Sequence, residues 1–214
     1  MDRKERVADI ENRKLVAVVR LDAAEDLIPA TDALLAGGVS VLEITMTSPG
    51  ALDSIPQMRK RYGEDVIVGV GSVPNADIAN QAITAGAQFV VSPIMKTEIV
   101  KVSHSNNVPA AIGSYTPTEM QAAYEAGSDL VKVFPADQLG PKYMKAVRAP
   151  LPHLKLLPTG GVNADTINDW LKSGVAALAV GSALVDKKAV NEGKFHVLTE
   201  KAEVLSNAVK AFEQ

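Results

Sequence analysis

Cysteine is absent from the 214 residues, which excludes disulfides, cysteine–zinc clusters and thiol catalysis. Aromatic side chains make up only 4% of the chain. The three histidines, His104, His153 and His196, are scattered, and none lies near a carboxylate at metal-ligand spacing. They read as surface or helix residues, and neither a metal site nor a cofactor is expected. Neither sign of charge dominates: 22 basic and 25 acidic side chains leave a net charge of −3, and no run of five basic residues occurs. Nothing in that balance calls for nucleic acid. No segment approaches the ~18 consecutive apolar residues of a membrane span. The charged start Met1-Asp2-Arg3-Lys4-Glu5-Arg6 lacks a signal-peptide apolar stretch. The expectation is a soluble, cytoplasmic protein without membrane association. Gly-x-Ser-x-Gly and His-Glu-x-x-His are missing as well, removing those hydrolase chemistries.

What is present is a hydrophobic content of 47%, enough for a real core, and a recurring unit. A polar amphipathic stretch ends in glycine, and a short apolar run follows. Gly37-Gly38 precedes Val39 to Thr45, Gly86 precedes Gln88 to Ser92, Gly127 precedes Asp129 to Phe134, and Gly174 precedes Ala177 to Gly181. Glycine just past a helix adopts the left-handed conformation without a Cβ penalty, so each marks a helix stop before a strand. Four further apolar runs, at 15–19, 66–70, 108–112 and 154–157, complete eight candidate strands. Their nearly continuous hydrophobicity suits a parallel sheet covered by helices. Helices are expected at 24–36, 51–61, 76–85, 118–126 and 165–172, with Asn163-Ala164-Asp165 as a cap region. Gly140-Pro141 interrupts the chain before a helix over 142–147. A closing helix spans 191–212, and an additional N-terminal one spans 1–13.

Eight such units at roughly 27 residues each describe a single-domain (β/α)8 TIM barrel over residues 1–214, with an extra N-terminal helix. The competing α/β fold, an open doubly wound sheet, lacks its Gly-x-Gly-x-x-Gly after the first strand, where Val19-Arg20-Leu21-Asp22 stands.

Chemistry in such a barrel gathers at the C-terminal strand ends. Those ends carry Arg20, Glu43 with Thr45, Gly71-Ser72, Ser92-Pro93, Gly113-Ser114, Lys132 with Phe134, Thr159-Gly160-Gly161 and Gly181-Ser182. Lys132 is the unusual one, enclosed by Leu130, Val131, Val133 and Phe134. Alternation puts 130, 132 and 134 on one face and 131 and 133 on the other. Burial disfavours the ammonium form of a lysine, and a neutral amine in a dry pocket can attack a ketone to form a Schiff base. The plainer alternative is a lysine reaching to the barrel rim, and Lys155, between Leu154 and Leu156, is a strand lysine with no evident chemical purpose. Glu43 sits equally deep in Val41-Leu42-Glu43-Ile44-Thr45, where a carboxylate is costly unless paired. Beside an imine-forming lysine it would move protons; a purely structural Glu–Lys pair would place both residues equally well. Gly160-Gly161 and Gly181-Ser182 follow the seventh and eighth strands, where this barrel binds phosphate on backbone N–H groups with a helix N-terminus behind. Trp170 reads as packing.

These residues resemble the KDPG (2-keto-3-deoxy-6-phosphogluconate) and 4-hydroxy-2-oxoglutarate aldolase family from near Leu15 to near Val185. The segments that carry the likeness include Leu42-Glu43-Ile44-Thr45, Gly69-Val70-Gly71-Ser72-Val73, Val131-Lys132-Val133-Phe134-Pro135-Ala136, Pro158-Thr159-Gly160-Gly161-Val162 and Gly181-Ser182-Ala183-Leu184. The resemblance implies a metal-independent class I aldolase, a carbon–carbon lyase, in which Lys132 forms the Schiff base and Glu43 is the general acid/base. It implies pyruvate and a phosphorylated keto acid as ligands, and a homotrimer. Arg20 and Ser72 would hold the pyruvate carboxylate, with Thr45, Pro93 and Thr159 nearby and Phe134 as an apolar wall. Gly160, Gly161, Gly181 and Ser182 would cradle the phosphate. The chain departs from the family pattern in four places. Thr47-Ser48 stands where some members have Arg-Thr, and Ser72 replaces the common Thr. Ile94 follows Ser92-Pro93 instead of Gly, and Ile112 precedes Gly113 instead of Pro. These positions bear on substrate choice, leaving open the galactonate epimer or the unphosphorylated hydroxy-oxoglutarate. Two other classes use similar loops: a non-covalent phosphate-binding isomerase or transferase barrel, and a non-catalytic keto-acid sensor.

Overall fold

A computed structural model describes residues 1–213; the single-domain span expected from the sequence ends on Gln214, which lies outside them. Eight parallel strands form one sheet: β1 Leu15–Val19, β2 Val41–Thr45, β3 Ile67–Gly71, β4 Val90–Val91, β5 Ala110–Ser114, β6 Leu130–Val133, β7 Leu156–Pro158 and β8 Leu178–Val180. Their order is β7-β6-β5-β4-β3-β2-β1-β8. A bridge between Thr159 and Ala179 joins the two ends, so the sheet closes into the expected barrel.

Strand alternation builds two cores. Val16, Val41, Ile67, Phe89, Val91, Ala111, Leu130, Leu157, Ala177 and Ala179 fill the inside of the ring. Their neighbours, such as Leu42, Ile44, Val131 and Val133, point outward into the layer beneath the helices. The N-terminal helix α1, Arg3–Arg13, starts on a capping box between Asp2 and Glu5. Its Val7 and Ile10 belong to the inner cluster and stopper the N-terminal end of the barrel.

The other helices are α2 Leu27–Ala36, α3 Ala51–Tyr62, α4 Ala76–Thr84, α5 Thr97–Ser105, α6 Pro117–Glu125, α7 Gly140–Arg148, α8 Ile167–Lys172, α9 Lys187–Asn191 and α10 His196–Glu213. Gly38, Gly86, Gly127 and Gly174 all have positive φ, the left-handed stops their position implies.

Several expectations need correction. Helix α5 was not anticipated, because Thr97-Glu98-Ile99-Val100-Lys101-Val102 is rich in β-branched residues that favour strands. The helix expected over 191–212 begins only at His196, because Gly193, with φ 70, separates it from a short unanticipated helix, Lys187–Asn191. Gly140-Pro141 starts α7 instead of delaying it, since proline is tolerated in a first turn. The 24–36 helix begins with a 3-10 turn, Ala24–Asp26. Helix α8 starts only at Ile167, because the Asn163 carboxamide oxygen accepts from the Asp165 and Thr166 amides and folds that stretch as a turn. The N–H groups of Gly160 and Gly161 therefore belong to a loop, not to a helix start. Lys155 lies just before β7 and donates to Glu11 of α1 at 2.8 Å, at the end of the barrel opposite the glycine loops.

Candidate active site

Strands β2 and β6 stand on opposite sides of the eight-membered ring. Glu43 and Lys132 extend from them towards the axis, and Lys132 Nζ donates to Glu43 Oε1 at 3.2 Å. Lys132 is 4% exposed and Glu43 1%. The Lys132 ammonium position lies 5.5 Å from the centre of the Phe134 ring, which is itself 43% exposed at the mouth. An amine and a carboxylate enclosed together can pass a proton directly between them, without a route through bulk water.

Glu43 fits because β3 presents Gly71 beside it: a Cβ there would collide with the Glu43 carboxylate. Glu43 Oε2 and Thr159 Oγ1 are buried and have no hydrogen-bond partner. An unpaired buried oxygen is expensive, and two of them at one mouth mark where an incoming group can bind.

Beyond the Phe134 ring, at the C-terminal strand ends, lies a cavity of about 440 Å³ whose lining includes Arg20, Phe134, Thr159, Gly160, Gly161 and Gly181-Ser182. The N–H groups of Gly161, Gly181 and Ser182 have no acceptor among the described residues, while that of Gly160 faces Ala179 O in the bridge that closes the ring. Gly160 and Gly161 have φ of 106 and 76, and a Cβ on Gly161 would come within 2.9 Å of Asp137 Cα. Only glycine passes there without strain. The carbonyl of Gly161 accepts from Thr166 Oγ1 at 2.8 Å and Trp170 Nε1 at 3.2 Å, which hold the loop in place.

Five residues anticipated from the sequence are not part of the cavity lining: Lys132 and Glu43, enclosed within the barrel, and Ser72, Thr45 and Pro93. Ser72 sits at φ 58 and its Oγ accepts from the Arg20 guanidinium at 3.4 Å. Thr45 is fully buried, its hydroxyl bonded to Ser48 Oγ and Thr47 Oγ1, both at 3.1 Å. Pro93 folds over Gly113, whose missing Cβ leaves room for the Pro93 backbone.

A family model described as KDPG and KHG aldolase matches residues 7–200. The chain belongs to that family. It is 34% identical to the 2-dehydro-3-deoxy-phosphogluconate aldolase of Haemophilus influenzae, over 88% of this chain and 89% of that one. It is 29% identical to the 2-dehydro-3-deoxy-6-phosphogalactonate aldolase of Escherichia coli, over 79% and 83%. Among solved structures, a KDPG aldolase from Legionella pneumophila, with pyruvate captured at low pH as a covalent carbinolamine intermediate, superimposes with a TM-score of 0.85. That pair is 27% identical over 93% of this chain and 97% of the other. The protein is thus an enzyme, a carbon–carbon lyase of the aldolase class.

Within this family member, sequence reasoning named Gly71 and Ser48 without giving either a role, and it overlooked Lys187. Ser48 stands where an arginine-containing pair was missed, yet its Oγ accepts from Leu21 N at 3.2 Å and ties the loop carrying Arg20 to β2. Gly71 had only its place beside Ser72 to signal it. Lys187 also lines the cavity, and nothing in the local sequence sets it apart.

Proposed function

We propose that this aldolase works through a Schiff base on Lys132, splitting 2-keto-3-deoxy-6-phosphogluconate or a close 2-keto-4-hydroxy acid into pyruvate and an aldehyde such as glyceraldehyde 3-phosphate. The observation that carries the reading is the 3.2 Å contact between Lys132 and Glu43 in the closed interior of the barrel. Lys132 passes a proton to Glu43, and the neutral amine attacks the C2 carbonyl to form a carbinolamine. Glu43 returns the proton to the departing hydroxyl, water leaves, and an iminium remains. Glu43, again a carboxylate, takes the C4 hydroxyl proton while the C3–C4 electrons move into the iminium and the aldehyde departs. The resulting enamine is protonated at C3, and water hydrolyses the imine to release pyruvate and Lys132.

Arg20, drawn towards the barrel by Ser72, supplies charge for the keto-acid carboxylate. Thr159 Oγ1 and Glu43 Oε2, both unpartnered, supply the polar atoms that would hold a bridging water. The phosphate would rest on the N–H groups of Gly161, Gly181 and Ser182, with Gly160 beside them and Phe134 as the apolar wall. Thr45 and Pro93 shape the mouth around it. The phosphogalactonate epimer and 4-hydroxy-2-oxoglutarate are the alternative substrates, and relative kcat/KM on the three acids ranks them. A homotrimer is the assembly this reading implies. Ile94, Met95 and Tyr115, exposed after the adjacent strands β4 and β5, offer apolar surface for it, and light scattering measures the mass.

Incubation with pyruvate and borohydride, followed by mass measurement, tests the mechanism. A stable adduct on Lys132 is expected, absent in Lys132→Ala and retained in part by Glu43→Gln, which loses most turnover. No adduct on the native protein would overturn it.

A further inference from the structure

The cavity lining holds two cationic side chains, Arg20 and Lys187, and no carboxylate. Arg20 is engaged with Ser72 on the side nearer β3. Lys187, the first residue of α9, follows the Gly181-Ser182 loop and lines the same cavity as both glycine loops. Its Nζ donates to Asp22 Oδ1 at 2.6 Å, linking the loop after β8 to the loop after β1 across the cavity rim. That bond and the lysine charge hold the Asp22 carboxyl below the usual carboxylate range. The Lys187 and Asp22 side chains are 44% and 59% exposed. An ion pair so open to water is weakly held and readily exchanged.

The unpaired glycine-loop N–H groups are neutral donors. A phosphate monoester carries close to two negative charges at neutral pH and gains most from a cation beside those donors. Lys187 lines that cavity with a positive charge and a partner it can release.

We propose that Lys187 is a specificity-determining residue that binds the distal phosphate of the substrate, and that Asp22 parks its ammonium group when the cavity is empty. Binding then exchanges one partner of Lys187 for another of higher charge, which favours phosphorylated over unphosphorylated acids. The identity of the substrate rests on the function proposed above; the anion site does not.

Glycerol 3-phosphate, titrated calorimetrically into the native enzyme, Lys187→Gln, Lys187→Arg and Asp22→Asn, is the direct probe. Lys187→Gln should weaken its binding by about tenfold or more, as expected for losing a charged hydrogen bond. Lys187→Arg should recover most of it, and Asp22→Asn should tighten it by removing the competing partner. In turnover, Lys187→Gln should lower kcat/KM for the phosphorylated keto acid about tenfold more than for 4-hydroxy-2-oxoglutarate. Unchanged glycerol 3-phosphate affinity in Lys187→Gln, or equal losses on both acids, overturns the assignment; weaker binding in Asp22→Asn overturns the parking role. If no borohydride-trapped pyruvate adduct forms yet glycerol 3-phosphate binding depends on Lys187, the reaction is misassigned while the anion residue stands. An adduct with binding indifferent to Lys187 gives the converse.

Discussion

The two ends of the barrel handle polar groups in opposite ways. At the N-terminal end, Asp129 accepts from His104 Nε2 at 2.9 Å and from the Ala110 amide at 3.0 Å, and pairs with Arg3 of α1 at 3.1 Å. A depression of about 790 Å³ opens there, larger than the one at the mouth, but among the described residues all the charged ones on its wall except Lys4 are already matched. At the C-terminal end, Glu43 and Thr159 each keep a buried oxygen without a partner, and the N–H groups of Gly161, Gly181 and Ser182 meet no acceptor among the described residues. Size therefore misleads. The N-terminal end also leaves Arg6 Nη1 and Gln88 Nε2 without a partner, but neither lines either cavity. Thr159 and the loop N–H groups line the smaller one and still have bonds to make.

The sharpest way to break this contrast is Gly71→Ala. The new methyl would push Glu43 away from Lys132, and turnover should fall by about 10²–10⁴, the range for losing a general acid/base. Single-turnover kinetics on phosphorylated keto acid would measure it, and near-native turnover would contradict the geometry. Asp129→Ala attacks the opposite end. It strands Arg3, His104 and the Ala110 amide, so urea unfolding should register a loss of about 1.5–3 kcal/mol with KM unaltered.

Thr159→Val sharpens the comparison further. Removing a buried hydroxyl that lacks a partner should raise stability by about 1 kcal/mol in the same assay while turnover drops. A loss of stability would mean that the hydroxyl is satisfied in solution. The smallest effect belongs to the rim. Glu119 caps α6 through the amides of Thr116 and Tyr115, which hold its carboxyl below the usual range. A folded-state pKa below the unfolded one gives stability that is present above the unfolded pKa and lost as pH falls through the folded value. Glu119 is open to solvent, so Glu119→Gln should flatten the acid limb of the stability–pH curve by only a few tenths of a kcal/mol.

The barrel was readable because its signals are local. A glycine ending a helix, an apolar run after it and alternation within the run each span a few residues, and together they placed Lys132 and Glu43 inside the ring. Helix α5 was missed because its β-branched composition conflicts with its tertiary setting, where Ile99 and Val100 pack beneath the barrel wall. Gly71 could be understood only once the carboxylate of the neighbouring strand was in place. The pairing of His104 with Asp129 spans 25 residues, and that of Lys187 with Asp22 spans 165. No periodicity carries information over such separations.

The joint between β7 and β8 differs from the rest of the wall. Elsewhere neighbouring strands share register pairs, fewest between β3 and β4 where only Val70 stands opposite Val90, whereas here the ring is completed by the Thr159–Ala179 bridge and the Ala176 N–H bonded to Leu156 O at 2.9 Å. Thinly stitched regions open at lower free energy than densely paired ones. The two loops that grip the far end of the ligand are hung on this seam, while the reacting pair stands on fully laced staves. The vessel can thus loosen where cargo enters and departs without disturbing the bond-making atoms.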